Sequence, residues 1–195
     1  MKSLNQEYWQ NRYKNHQTGW DLGIISTPIK EYVDHIKDKK IKILIPGAGN
    51  AHEALYLYQQ GFKDLHILDI ASNPLNNAKN NIPDLPEHSF IQQDFFQHSG
   101  SYDLIIEQTF FCAVEPRFRE SYVKQAYSLL NENGVIAGVM FNFEQHQEGP
   151  PFSGSKEEYK ELFKPYFEIL IMETCYNSVT SRAKKELFIK LIKKK

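Results

Sequence analysis

The chain has 195 residues, a length suited to one domain, and 41% of them are apolar, enough for a sizeable core. Its net charge of −1 leaves no electrostatic footprint for nucleic acid or an anionic membrane surface, and the one basic cluster, Lys193-Lys194-Lys195, reads as a solvated tail. Two cysteines, Cys112 and Cys175, stand far apart without metal-ligand spacing, which speaks against a disulfide framework.

The first forty residues are rich in aromatics and precede any strand, so they read as a cap. The expected organisation is a single domain over 1–195, with a cap over 1–40 and an α/β core over 41–195. Within the cap, Trp9 and Tyr13 are four apart and share a helix face, while Trp20 sits in the turn-like Thr18-Gly19-Trp20-Asp21. Ile41 to Pro46 reads as a first strand, ended by the turn Gly47-Ala48-Gly49-Asn50. Ala51 to Gln60 follows as a helix closed by Gly61. Leu65 to Asp69 is a second strand, Pro74 to Asn80 a helix with proline in its first turn, and Ser89 to Gln93 a short third strand.

Tyr102 to Gln108 is almost continuously apolar at its centre, as a strand buried on both faces should be. Pro116 to Leu130 reads as a helix with Asn133-Gly134 just beyond it, then Val135 to Phe143 as a fifth strand. Lys156 to Lys164 is a helix stopped by Pro165. Phe167 to Thr174 and Glu186 to Ile192, with only a loop between them, predict an antiparallel hairpin at one edge. This alternation implies a doubly wound α/β fold around a mainly parallel, seven-stranded sheet. Ligands in such sheets bind beyond the carboxyl ends of the strands, near the switch in strand order.

Candidate site residues stand at those ends. Gly47 and Gly49 let the backbone turn tightly and let a ligand approach. Asp69, twenty residues after Gly49, is placed to accept from both hydroxyls of a ribose. Asp94 can accept from an adenine amino group, and Phe95 can cover the ring. Each has a plainer role too: glycine pairs make turns, and strand-end aspartates cap helices. Their occurrence in order after successive strands is the more specific signal. A dinucleotide site wants G-x-G-x-x-G, yet His52 stands at the third glycine position and Glu53 follows, which is unhelpful to a pyrophosphate. S-adenosylmethionine carries no phosphate, and aromatic faces such as Trp9, Tyr13 and Trp20 attract a sulfonium. A hydrophobic staple is the plainer reading of the three rings.

The chain resembles the thiopurine S-methyltransferase family, and within it the halide and thiol methyltransferases. The resemblance is carried by Trp9-x-x-Arg12-Tyr13, Thr18-Gly19-Trp20-Asp21-Leu22-Gly23, Ile45-Pro46-Gly47-Ala48-Gly49 and Leu68-Asp69-Ile70. It continues through Asp94-Phe95-Phe96, Thr109-Phe110-Phe111-Cys112-Ala113 with Glu115-Pro116, and Gly149-Pro150-Pro151-Phe152. It implies a class I methyltransferase fold with S-adenosylmethionine as cofactor. Trp9, Tyr13 and Trp20 would line the cofactor, with Gly47 under its methionine part, Asp69 at the ribose, Asp94 and Phe95 at the adenine, and Gly49 and Gln108 also in the binding site. Gln108 stands where the halide and thiol branch usually has Tyr, Tyr13 where Trp is expected, and Ala48 where Cys is usual.

The acceptor implied is a small soft nucleophile: thiol, sulfide, thiocyanate, halide or thiopurine. Phe110, Pro151, Phe152 and Arg117 are the candidates for its pocket, and the loop from Cys175 to Lys185 is expected to overhang the mouth. A soft anion needs alignment rather than a general base, so no catalytic triad and no metal are expected. Cys112, in an apolar segment, reads as packing, and Arg117 and Arg119 read either as surface or as attractors of an anionic substrate. A nicotinamide-dependent oxidoreductase and a catalytically silent binding module are the alternatives. The start Met1 to Glu7 lacks the apolar stretch of a signal peptide and no window approaches a membrane span, so the expectation is a cytoplasmic protein with a small-molecule partner.

Overall fold

In the computed structural model, residues 4–143 and 149–195 are described. Met1, Lys2 and Ser3, part of the expected cap, lie outside them. Two helices precede the sheet: α1 (Gln6–Lys14) and α2 (Thr27–Asp34). Then follow β1 (Ile43–Pro46), α3 (His52–Gln59), β2 (Leu65–Asp69), α4 (Ser72–Asn81), β3 (Phe90–Gln92) and β4 (Tyr102–Gln108). The chain continues with α5 (Arg119–Leu129), β5 (Leu130–Phe141), α6 (Lys156–Phe163), β6 (Phe167–Thr174) and β7 (Glu186–Lys193).

The seven strands are ordered β3-β2-β1-β4-β5-β7-β6. The pairs β1–β2, β2–β3, β1–β4 and β4–β5 are parallel. β7 lies antiparallel between β5 and β6, so the predicted hairpin occupies an edge with only β6 outermost. Successive strand residues feed opposite faces, as a period of two requires. Ile43, Ile45, Leu104, Ile106, Ala137 and Val139 pack under α2, α3 and α4 with Ile29, Leu57 and Leu75. Leu44, Ile105, Ile136 and Met140 face the other way, toward Val123 and Ala126 of α5 and Tyr159 and Phe163 of α6. Ile29 and Val33 of α2 are fully buried, so this part of the N-terminal segment belongs to the core beneath the sheet.

Two boundaries differ from the sequence reading. α5 begins at Arg119, after a separate 3-10 turn over Pro116–Phe118. Asn133-Gly134 is not the end of the helix but an irregularity inside β5. Leu130 already pairs with Tyr102, Val135 pairs with Leu104, and Asn133 takes φ +59° to let the strand rejoin its register. Because β1 and β4 are neighbours while the chain proceeds outward from each, their carboxyl ends leave a crevice at the switch in strand order.

Candidate active site

The floor of that crevice is the turn after β1. Gly47 and Gly49 have φ of +56° and +54°, which glycine adopts without the Cβ penalty. A Cβ on Gly47 would stand 2.1 Å from Cδ2 of Phe110, and one on Gly49 would stand 2.8 Å from the Tyr13 hydroxyl. The missing side chains are thus replaced by two rings from other parts of the chain. Ala51, also left-handed at φ +57°, turns the backbone into α3.

Asp69 ends β2 with a residue exposure of 7%. Its Oδ2 accepts from the Gly49 amide and its Oδ1 from the Ala71 amide, both at 2.9 Å. The two strand-end turns are therefore locked together through one carboxylate, and lone pairs remain for a ligand. Burial raises its pKa to about 6 against the lowering effect of those amides. Asp94 caps the short turn that follows, accepting from the Phe96 amide at 3.0 Å, so the plainer helix-cap role is filled by one of its oxygens. Phe95 is buried, stacks on Tyr122 at 5.1 Å and meets Phe110 edge-on at 5.3 Å.

The cap brings its three rings together. Trp20 meets Trp9 at 5.5 Å and Tyr13 at 5.8 Å, both edge-to-face, and the Arg12 guanidinium lies 5.1 Å from the Trp20 ring. Polar clasps dock this segment. Gln10 Oε1 accepts from the Ser72 amide at 2.9 Å, capping α4, whose own N-cap residue Ala71 supplies no side-chain bond. Asp21 accepts from the Gly23 amide at 2.8 Å and from the Asn50 side chain, and His52 Nε2 lies 2.7 Å from its Oδ1. His52 holds the Asp21 carboxyl down at about 2, and Asp21 in turn raises the imidazole. Arg182, paired with Glu186 at 3.1 Å, donates to the Trp20 carbonyl.

At the end of β4, Gln108 lines the crevice and its Oε1 is buried without a hydrogen-bond partner. The preceding residue, Glu107, is fully buried and accepts from the Phe111 amide at 2.9 Å and from the Tyr122 hydroxyl, which fixes the turn that carries Phe110. Burial raises the Glu107 carboxyl to about 7. Cys112 is fully buried with its thiol pushed up to about 12, and the Phe141 amide donates to its sulfur at 3.2 Å, a packing position.

These elements enclose one cavity of about 940 Å³. Trp9, Tyr13, Trp20, Gly47, Asp69, Asp94, Phe95 and Gln108 all line it, as do Phe110, Arg117 and Pro151. Gly49 lies instead on a smaller neighbouring space. Phe152 does not line the cavity: its amide donates to the Cys112 carbonyl at 2.6 Å and its carbonyl accepts from buried Arg119 at 3.2 Å, which anchors Pro150 and Pro151 from behind. Arg119 is thus a structural bolt, with Glu158 as its ion-pair partner at 2.7 Å. Arg117 is paired with Glu115 at 3.0 Å. The expected overhang of the Cys175–Lys185 loop is corrected. None of those residues lines the cavity, because the loop packs on the N-terminal segment through Asn177 and Tyr176 against Glu31 and Arg182 against Trp20. Val114, Phe118 and Phe141 join the lining without having been singled out in the sequence; only their places just past β4 and at the end of β5 could have signalled them. Among the described residues no group of three His, Cys, Asp or Glu side chains is placed to hold a metal, and no helix is long and apolar enough to cross a membrane.

Comparison with known proteins follows the same outline. The family model described as thiopurine S-methyltransferase matches residues 4–195. The chain is 26% identical over 186 residues to thiocyanate methyltransferase 1 of Brassica oleracea, covering 92% of this chain and 82% of that one. It is 29% identical over 164 residues to a probable thiol methyltransferase 2 of Arabidopsis thaliana, covering 80% and 71%. The solved structure of 1,6-didemethyltoxoflavin-N1-methyltransferase from Burkholderia thailandensis, with bound S-adenosylhomocysteine, shares the fold. Its TM-score is 0.78 at 14% identity, over 97% of this chain and 87% of that one.

Proposed function

The chain belongs to the thiopurine S-methyltransferase family, whose members depend on S-adenosylmethionine, and from that premise we propose that it methylates a small soft nucleophile of the thiol, sulfide, thiocyanate, halide or thiopurine class. The residues present fit the cofactor. The Gln108 side-chain carbonyl has no partner, and a cavity of about 940 Å³ has room for a nucleoside-sized ligand and a small acceptor. In this reading Asp69 accepts from the ribose hydroxyls, Asp94 and Phe95 hold the adenine, Gly47 lies under the methionine part, and Trp9, Tyr13 and Trp20 face the sulfonium.

When bound, the cofactor supplies a methyl group on positively charged sulfur, which departs as a neutral thioether when the nucleophile takes the methyl in line. What the protein does is align and desolvate. The observation that carries the acceptor class is the character of the remaining wall. Phe110, Val114, Phe141, Pro150 and Pro151 are apolar; of the charged side chains on the α5 side, Arg117 is paired with Glu115 and Lys124 with Glu120, while Ser121, Gln125 and Ser128 add neutral polar groups. A polarisable anion loses little by entering such a wall, whereas a hydroxyl or amine would need a base beside it. A thiol with a pKa near ~8.5 is already a few per cent ionised at neutral pH.

The test is methyl transfer from labelled S-adenosylmethionine to a panel of alkyl and aryl thiols, sulfide, thiocyanate, iodide and a thiopurine, with a catechol and a primary amine alongside. Turnover confined to the sulfur and halide acceptors is expected. Preference for the catechol or the amine would overturn the acceptor class, and the absence of turnover on every acceptor would favour a silent binding module.

A further inference from the structure

The 3-10 turn over Phe95–Gln97, just after β3, belongs to the adenine side of the cavity, with Asp94 as its N-cap. A side chain of α5 holds its backbone. Gln125 Nε2 donates to the Phe95 carbonyl at 2.9 Å and to the His98 carbonyl at 2.7 Å, one acceptor at each end of the turn. Tyr122, three residues earlier on the same helix face, stacks on the Phe95 ring at 5.1 Å. Both partners of the Gln125 amide are carbonyls, so its N–H₂ end must face them, and both of its hydrogens are used.

Asp94 depends on this arrangement. Its Oδ1 accepts from the Phe96 amide at 3.0 Å, a group of the turn itself, and its second oxygen is left for a donor from the cavity. The carboxylate therefore goes where the turn goes. Within the turn, the Gln97 amide donates to the Asp94 carbonyl at 3.0 Å and Gln93 Nε2 to the Gln97 carbonyl at 3.2 Å. These bonds shape the turn but do not seat it; Gln125 seats it on α5. A hydrogen bond weakens steeply once distance or angle is off, so the seat decides how well Asp94 meets one particular donor.

We propose that Gln125 is a positioning residue that sets purine selectivity: by seating the Phe95–Gln97 turn on α5 it aims Asp94 at an exocyclic amino group, so that a donor bearing adenine is preferred to one bearing a 6-oxopurine. The proposal rests on the methyl-donor reading above and on Asp94 facing the base. Gln125 also lines the cavity, yet it acts through the turn, because its N–H groups are spent on two backbone carbonyls. A 6-oxopurine sets a carbonyl against the seated carboxylate, acceptor against acceptor. Its neighbouring ring N–H is a donor that only a shifted carboxylate reaches, so a loosened turn accepts both bases.

The experiment is titration calorimetry of the full chain with S-adenosylhomocysteine and with S-inosylhomocysteine, which differs in having a carbonyl where adenine has its amino group. Gln125→Met, of similar length without donors, and Gln125→Glu, of similar shape with acceptors only, are compared with the unaltered protein. Melting temperatures of the ligand-free proteins check that each variant folds. The unaltered protein should prefer S-adenosylhomocysteine by roughly 10- to 100-fold, the range of one charge-assisted hydrogen bond. In both variants that preference should largely vanish, through weaker binding of S-adenosylhomocysteine. Equal losses for both ligands, with the preference intact, would make Gln125 a packing residue and overturn the proposal. Equal binding of the two ligands to the unaltered protein would overturn it as well, since no amino group would then be read. If neither ligand binds the unaltered protein, the methyl-donor reading itself fails and the selectivity falls with it.

Discussion

Asp69 serves two demands with one carboxylate. It ties the Gly49 and Ala71 amides together across the ends of β1 and β2, and in the proposed complex it accepts from the ribose. Because burial lifts its pKa to about 6, the acceptor form is complete only above that pH. The sign is fixed: the carboxylate is the form that binds, so affinity rises as pH climbs through 6 and is lost below it. We predict that calorimetric affinity for S-adenosylhomocysteine is flat above pH 7 and falls below pH 6, toward about tenfold per pH unit. Asp69→Asn should bind more weakly at pH 7.5 and lose this dependence. A profile unchanged by the substitution would assign the titration elsewhere and reduce Asp69 to a turn-forming role.

At the scale of elements, the first helix is held differently from the rest. α1 has no buried residue, whereas α2 places Pro28, Ile29 and Val33 in the core. The docking of α1 and the turn after it depends on Gln10, Asp21 and the Trp20 carbonyl, bonds that water can replace. Segments with few buried apolar contacts open at low free energy. We propose that Leu4 to about Ile25 closes over bound cofactor as a lid. Hydrogen exchange should find α1 amides weakly protected alone and slowed by S-adenosylhomocysteine, while α2 amides change little. Equal protection of α1 in both states would mean a permanently docked helix. Trp20→Ala should weaken cofactor binding and lower turnover together; a drop confined to the ligand-free melting temperature would make the ring a staple.

For the whole molecule, the choice between cofactor classes turns on the loop after β1. His52, at the third glycine position of a dinucleotide turn, is bound to Asp21 of the cap, and Glu53 puts a carboxyl at the helix start. Neither leaves a welcome for a pyrophosphate. S-adenosylhomocysteine at a hundredfold excess over its dissociation constant should add about 2.7 kcal/mol of stability, a rise of roughly 5–10 °C for a chain of this size. NAD at the same concentration should leave the melting temperature where it was. A shift with NAD and none with S-adenosylhomocysteine would reverse the assignment.

The sheet was legible in the sequence because its signals are local. Ile43 to Pro46 and the centre of Tyr102–Gln108, Leu104 to Ile106, are apolar on both faces, and each strand is followed by residues that a strand end needs. Gly47, Asp69 and Asp94 could be named as candidate site residues for the same reason: in a parallel sheet, position after a strand is position in the crevice; Gln108 is named only through the family resemblance. Other features depend on which layers meet. Gln10 capping a helix 62 residues away and Arg182 reaching Trp20 across 162 residues leave no periodicity to read. Phe152 and the Cys175–Lys185 loop sit near the site in sequence logic, yet the packing of α2 and Arg119 directs them elsewhere. The sequence by itself determined the strand order of signals and the family; the tertiary structure alone decided which side chains converge, since convergence depends on packing distances between elements that no single stretch of chain encodes.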